Sequence, residues 1–119
     1  MSVFITMIDI DSMNQIVAKT IIDQIRQGFK KSVNINGKVI KFDVMKVLGA
    51  EKFTYDRNMV MFKVRNNKKV IIKVNVMDLY DVEVWDIKNI LEPKQLEVIK
   101  DVYNVELTDR LLEALKVDI

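Results

Sequence analysis

The sequence contains no cysteine and no histidine among its 119 residues. The first absence excludes disulfides, thiolate metal sites and a cysteine nucleophile. The second removes the commonest general base and the commonest transition-metal ligand. The three glycines, Gly28, Gly37 and Gly49, lie too far apart to form a Walker loop or a dinucleotide fingerprint. These absences predict a protein that is not an enzyme and binds no cofactor, with a carboxylate-dependent metalloenzyme left open as an alternative.

Proline occurs once, so long linkers and collagen-like segments are not expected. The length fits one globular domain, residues 1–119, and half of the residues are hydrophobic, enough to build a core. The apolar segment Met1–Ile10 has no basic leader and is interrupted by Asp9. It is too short for a membrane span and unlike a secretory signal. We therefore expect a cytoplasmic protein with no membrane partner.

The net charge of +2 predicts neither nucleic acid nor membrane binding, but the charges are unevenly distributed. Arg26 to Lys46 contains six basic residues and one acid, and Lys63 to Lys73 contains five basic residues and no acid. Asp78 to Asp86 contains four acids and no base. This pattern predicts a surface with oppositely charged patches.

The first third of the chain predicts a strand, a helix and a hairpin. Val3–Ile10 is rich in β-formers and is expected to be a strand. Ser12 and Gln15 form a capping-box pattern, so a helix should run from about Met13 to Gln27, with Gly28 as its left-handed stop. Asn36-Gly37 between two apolar runs is the strongest short hairpin signal. Phe42 to Ala50 fits either a helical turn or a strand, ended by Gly49.

The central segment predicts a second hairpin. Val60, Phe62 and Val64 alternate with polar or long side chains, and a similar alternation runs from Val70 to Val76. A two-residue turn at Asn66-Asn67 would place these apolar residues on opposite faces. An odd loop, Asn66 to Lys68, pairs Phe62 with Ile72 and keeps one face apolar. We therefore expect the odd loop.

The last third predicts one further strand and a final helix. In Asp78–Ile87, Tyr80, Val82 and Val84 alternate with more polar positions. The segment around Leu96–Lys100 fits a short strand or the start of a helix. A leucine stripe predicts a terminal helix capped by Asn104 or Thr108. The resulting fold class is α+β, an antiparallel sheet of about five strands packed with an N-terminal and a C-terminal helix. The leucines of the stripe are Leu107, Leu111, Leu112 and Leu115.

Five segments follow one another along the chain in a recognisable order: Ala18–Ile25, Val47–Phe53, Met61–Val64, Asp78–Glu83 and Ile99–Tyr103. In this order they resemble a group of small proteins from tailed phages and prophages. The resemblance spans roughly Val17 to Leu115 in discontinuous matches, and it implies a strand at Leu96–Lys100. The chain departs from the group in Phe29–Lys41, in its amino-terminal segment and in its ending, Lys116–Ile119. The group implies a viral origin but no activity.

The second hairpin carries the candidate nucleic-acid site. Basic side chains on an exposed sheet face can neutralise phosphates without reading sequence. The face lacks aromatic residues for base stacking, and lysines that protect a sheet edge from aggregation are the alternative interpretation. The candidates are Lys63, Arg65, Lys68, Lys69 and Lys73.

Two further features lie near this hairpin. Asp81 and Glu83 share one side of their strand, which suits a hard cation, although a turn and pairing with the lysines explain the acids more simply. The expected core face excludes Met59, Met61 and Trp85, which point to the other side of the sheet. Two interpretations fit: these residues form a protein interface, or a terminal helix covers them.

Together these features predict a non-enzymatic phage or prophage accessory protein that binds a host or viral macromolecule. Inhibition of a host defence system fits this class, and a protein partner or self-association is expected. The alternative is a nucleic-acid-binding module that uses the basic hairpin.

Overall fold

The computed structural model describes residues 2–117, with side chains from residue 15 onward. Three helices and seven strands follow one another along this part of the chain. A single turn of 3-10 helix, Asn104–Glu106, precedes the last helix. The elements are α1 Ser2–Gly28, β1 Ser32–Ile35, β2 Lys38–Lys41, α2 Val44–Leu48, β3 Glu51–Asp56, β4 Met59–Val64, β5 Lys68–Val74, β6 Tyr80–Asp86, β7 Lys94–Val102 and α3 Leu107–Leu115.

Strands β3 to β7 form one antiparallel sheet in which each strand pairs with its neighbour in sequence. Alternate residues of β4, β5 and β6 are buried, so one face of the sheet belongs to the core. Helix α1 packs against β3 and β4, and α3 packs against β6, β7 and α1. The predicted α+β class, with a helix from each end of the described chain on a five-stranded sheet, is confirmed. The fully buried side chains include Ile21, Ile25, Val60, Phe62, Val70, Ile72, Val82, Val84, Leu107 and Leu111.

The amino-terminal strand prediction is wrong, because Val3–Ile10 lies within α1. The helix predicted from Met13 is present but begins at Ser2, so Ser12 is not its cap. Extending an existing helix needs no new nucleation. The helix-propensity deficit of residues such as Val and Ile is below about 0.7 kcal/mol each. A strand-like composition therefore does not stop a helix that continues into the core.

Gly28 ends α1 but not as a left-handed stop, since its φ is not positive. Its role is close packing against Thr108 of α3. A Cβ at position 28 would lie 2.2 Å from Thr108 Oγ1. The Thr108 hydroxyl in turn donates to the Ile25 carbonyl at 2.7 Å, so it joins α3 to α1. Thr108 is therefore not a helix cap, and no side chain caps either α3 or the preceding turn of Asn104.

The Asn36-Gly37 hairpin is confirmed as β1 and β2, and Phe42–Ala50 contains the short helix α2. Asp43 caps α2 by accepting from the Met45 backbone N–H at 3.0 Å. Gly49 ends it with a φ of 66°, the left-handed conformation that glycine adopts without strain. Asp43 also receives the Arg26 guanidinium at 3.1 Å, which ties α2 to α1.

The β4–β5 connection has the predicted odd number of residues, but the predicted register is wrong by two. Val64 pairs with Lys68 and Phe62 with Val70, so the loop is Arg65-Asn66-Asn67. Both asparagines adopt positive φ, which asparagine tolerates better than most residues. The apolar face is unaffected, because a shift of two residues returns each side chain to the same side.

The later elements follow the sequence with one exception. The segment Leu96–Lys100 is part of strand β7, as the resemblance implies. Val76, expected to continue the core face of β5, is fully exposed in a turn. The Asn75 side chain accepts from the backbone N–H groups of Met77 and Leu79, and this turn ends the strand at Val74. Among the described helices, none combines the length and apolarity needed to cross a bilayer.

Candidate functional site on the open sheet face

The second face of the five-stranded sheet, opposite the helices, carries the side chains that alternate with the core residues. We call it the open face and define it by nine partly exposed residues of β4, β5 and β6. No helix of the described chain lies over it, because α1 and α3 bury the other side. The nine residues are Met59, Met61, Lys63, Lys69, Ile71, Lys73, Asp81, Glu83 and Trp85.

Strand register arranges these side chains in rows across the sheet. In the central row Met61 lies opposite Ile71, and Ile71 lies opposite Glu83. Val98 of β7 continues this row and is 42% exposed. The row therefore places three apolar side chains around one carboxylate.

A second row places two lysines beside the only tryptophan. Lys63 lies opposite Lys69, and Lys69 lies opposite Trp85. Like charges directly opposite each other repel, so this pair destabilises the sheet slightly. Glu51 of β3 lies 3.8 Å from the Lys63 ammonium. Among the side chains of residues 15–117, Lys69 has no ion-pair partner.

Glu83 organises the open face. Its Oε1 accepts from the Trp85 indole N–H at 3.0 Å and from the Gln95 amide at 3.1 Å, while its Oε2 lies 3.1 Å from the Lys73 ammonium. Burial raises the pKa of Glu83, but the hydrogen bonds and the charge of Lys73 outweigh burial, so the pKa lies below its ordinary value. The ionised carboxylate therefore holds the Trp85 ring in one orientation on the surface.

The structure brings together only part of the predicted phosphate-binding set. Lys63, Lys69 and Lys73 share the open face, but Lys73 is paired with Glu83. Lys68 points to the helix side, where its ammonium lies 3.4 Å from the Leu115 carbonyl. Arg65 lies in the loop against Gly49, within 2.7 Å of the position of an added Cβ. The five basic side chains therefore do not form one continuous patch.

The predicted interface residues share the open face but not one cluster: Met59 lies in the row of Lys73 and Asp81, and Trp85 lies at the opposite corner. Met59, Met61 and Trp85 are on the open face with Lys63 and Lys69, and neither terminal helix covers them in the described chain. Their exposure is partial because each lies within a sheet whose neighbouring side chains shield it.

The acidic side chains of β6 are bound to other protein groups. Glu83 is held by Lys73 and Trp85, while Asp81 accepts from the Asn75 amide at 3.0 Å. Asp78 lies in the turn before β6, where sequence reasoning placed it. Within the described side chains, no group of three or more acidic residues is close enough to hold a metal ion.

The alternation of β5 predicts Ile71 on this face, between Lys69 and Lys73, and the structure places it there. Sequence reasoning missed Val98 and Gln95. The place of Val98 depends on irregular pairing between β6 and β7, which the sequence does not signal. Comparison of the chain with family models, with curated proteins and with solved structures finds no match in any of the three.

Proposed function

We propose that the protein acts by binding a partner protein through its open face, without catalysis. The observation that carries this proposal is the Trp85 side chain, held by Glu83 beside Lys69 and next to the apolar row of Met61 and Ile71. Tryptophan and methionine are enriched at protein interfaces, where tryptophan often contributes much of the binding energy. A ring fixed before binding loses little conformational entropy when a partner covers it.

The charges specify the chemistry of the partner. Lys63 and Lys69 lie opposite each other, and Lys69 has no ion-pair partner among the side chains of residues 15–117. A carboxylate placed over Lys69 would relieve the repulsion between the two lysines. We therefore propose a partner that presents apolar side chains to Met61 and Ile71 and an acidic residue to Lys69.

Affinity capture with matched variants tests the proposal. The tagged protein, the double variant Lys69→Glu with Ile71→Lys, and the control double variant Lys88→Glu with Ile90→Lys are incubated with bacterial lysate. The control carries the same two charge changes on the exposed β6–β7 connection. We expect a protein that wild type and control retain and the open-face variant loses, with a blue shift of Trp85 fluorescence when it binds. Identical retention by all three proteins would refute the proposal.

The resemblance to phage and prophage proteins supports a finer proposal. The chain would be a viral accessory protein in the cytoplasm of a bacterial host, and its partner a host or viral protein such as a component of a defence system. Expression of the chain in a defended strain should raise the plating efficiency of a sensitive phage. The Lys69→Glu, Ile71→Lys variant should not raise it. Equal plating with and without the wild-type chain would contradict this role for that defence system.

Self-association through the same face is a second form of the proposal. Met61, Ile71 and Trp85 would then be buried by another copy of the chain. Light scattering after size-exclusion chromatography decides between the forms. A dimer that the Lys69→Glu, Ile71→Lys variant abolishes would identify the partner as a second copy, and a monomer at all concentrations would leave the heterologous partner.

Nucleic-acid binding by the β4–β5 hairpin is the weaker candidate. Its favourable observation is the Lys63–Lys69 pair on an exposed surface. Against it, Lys73 is neutralised by Glu83, and Lys68 and Arg65 point elsewhere. Charge reversal of Lys69 and Lys73 should abolish a gel shift if this candidate is right, and binding unchanged by that reversal would exclude it.

A further inference from the structure

Strands β1 and β2 form a hairpin that stands apart from the five-stranded sheet. All eight strand residues are exposed. The two strands join through Asn36 and Gly37, whose φ values of 53° and 81° fit the tight turn that a twisted two-stranded ribbon requires. We call residues 30–42 the basic ribbon.

The basic ribbon carries four lysines and no acidic residue. Among the side chains of residues 15–117, none of these lysines has an ion-pair partner. The adjacent carboxylate of Asp43 is occupied by Arg26 and the α2 backbone, and Asp109 lines the same cleft as Lys30 without forming an ion pair with it. The ribbon therefore carries four positive charges that no described side chain pairs. The lysines are Lys30, Lys31, Lys38 and Lys41.

The pairing register places lysines on both faces of the basic ribbon. Lys38 lies opposite Ile35, on the face of Val33 and Ile40, and Lys41 lies opposite Ser32 on the other face. A flat anionic surface, such as a membrane, would meet only one of these faces. A groove with a phosphate backbone on each wall would meet both.

We propose that the basic ribbon binds duplex DNA by entering the major groove. The major groove of B-form DNA admits a two-stranded β-ribbon, and lysine ammonium groups neutralise the phosphates of its walls. The deep, narrow major groove of duplex RNA does not admit such a ribbon. This site is independent of the open face.

Fluorescence anisotropy with a short labelled DNA duplex tests the proposal over a range of salt concentrations. Four phosphate contacts predict a slope of log affinity against log salt of about −3.6. A fourfold rise in salt should then weaken binding by about 10²-fold. The variant Lys38→Gln with Lys41→Gln should reduce the slope to about −1.8 and weaken binding at 0.1 M salt by roughly 10 to 100-fold.

The matched control is Lys63→Gln with Lys69→Gln, which removes the same charge from the open face. We expect its affinity and slope to equal those of wild type. Both variants should remain folded with melting temperatures close to that of wild type, because Lys38 and Lys41 are exposed and Lys63 and Lys69 are only partly buried.

Three results would overturn the proposal. The first is no binding of wild type to DNA at low ionic strength. The second is an equal loss of DNA affinity in the Lys63→Gln, Lys69→Gln variant, which would place the DNA contact on the five-stranded sheet. The third is binding to duplex RNA or to vesicles of anionic lipid that matches or exceeds DNA binding and is lost in the Lys38→Gln, Lys41→Gln variant.

Discussion

The contact between Gly28 and Thr108 provides a sharp test of how the two terminal helices pack. A Cβ at position 28 would meet Thr108 Oγ1 at 2.2 Å and Thr108 Cβ at 2.7 Å. Real Cβ contacts are longer than 3.0 Å, and rotating the Thr108 side chain would move its Oγ1 but not its Cβ, so Gly28→Ala must move α1 and α3 apart. Thr108 is 3% exposed and its hydroxyl is bound to the Ile25 carbonyl, so rotation would break that hydrogen bond.

Two effects of Gly28→Ala oppose each other. Replacing glycine by alanine inside a helix stabilises by up to about 1 kcal/mol, and less in the last turn. Overpacking a tight contact costs about 1–3 kcal/mol, and a lost hydrogen bond costs about 1 kcal/mol more. We expect the clash to win, with a net loss of about 1–4 kcal/mol and a melting temperature lower by roughly 4–16 °C.

Urea unfolding followed by circular dichroism measures this loss. Gln27→Ala, an exposed change in the same turn, serves as the control and should change stability by less than about 0.5 kcal/mol. Gly28→Asn separates packing from backbone strain. A left-handed stop would tolerate asparagine better than alanine, whereas a close contact should make asparagine the worse of the two. The packing argument fails if Gly28→Ala is as stable as wild type or if Gly28→Asn is the milder change.

Three further predictions concern charges and turns. Because the folded pKa of Glu83 is lowered, its contribution is present at neutral pH and is lost as pH falls below the ordinary value of 4.5; Glu83→Gln should therefore destabilise at neutral pH and approach wild type in acid, and a loss that stays constant with pH in urea titrations would contradict this. Asp43→Ala should cost about 1 kcal/mol by uncapping α2, and Asp43→Asn less, since the amide oxygen still accepts; equal losses would contradict the cap. Asn67→Ala should cost about 1 kcal/mol at its φ of 55°, whereas Asn67→Gly should not; the reverse order in thermal melts would contradict the loop.

Much of the fold was predictable because burial leaves a periodic trace. In β4 and β6 every second residue is apolar and buried, so the core face of Phe62 and Val82 could be assigned from sequence. The Asn-Gly hairpin and the left-handed Gly49 were predictable because few residues adopt positive φ without strain. These features depend on neighbours along the chain.

Three features were predicted wrongly or only in part: the role of Gly28, the β4–β5 register and the composition of the open face. Gly28 fits a helix stop by local criteria. A glycine is needed there, however, because Thr108, eighty positions later in the chain, leaves no room for a Cβ. The β4–β5 register preserves the apolar face at either of two pairings, so face alone could not choose Val70 over Ile72 as the partner of Phe62. The open face was only partly predictable: Met61 and Trp85 were identified by alternation, but the hydrogen bonds of Glu83 depend on side-chain positions.

The meander topology has a consequence for biosynthesis. Strands β3 to β7 pair in the order in which they leave the ribosome, so the sheet can grow strand by strand. Its apolar side, however, is covered by α1, made first, and α3, made last of the described elements. The half of the sheet around β6 and β7 stays uncovered until α3 docks and buries Leu107 and Leu111. The nascent chain would then expose apolar side chains of β6 and β7 late in translation. Chaperones that recognise exposed apolar strands would bind it most strongly at this stage.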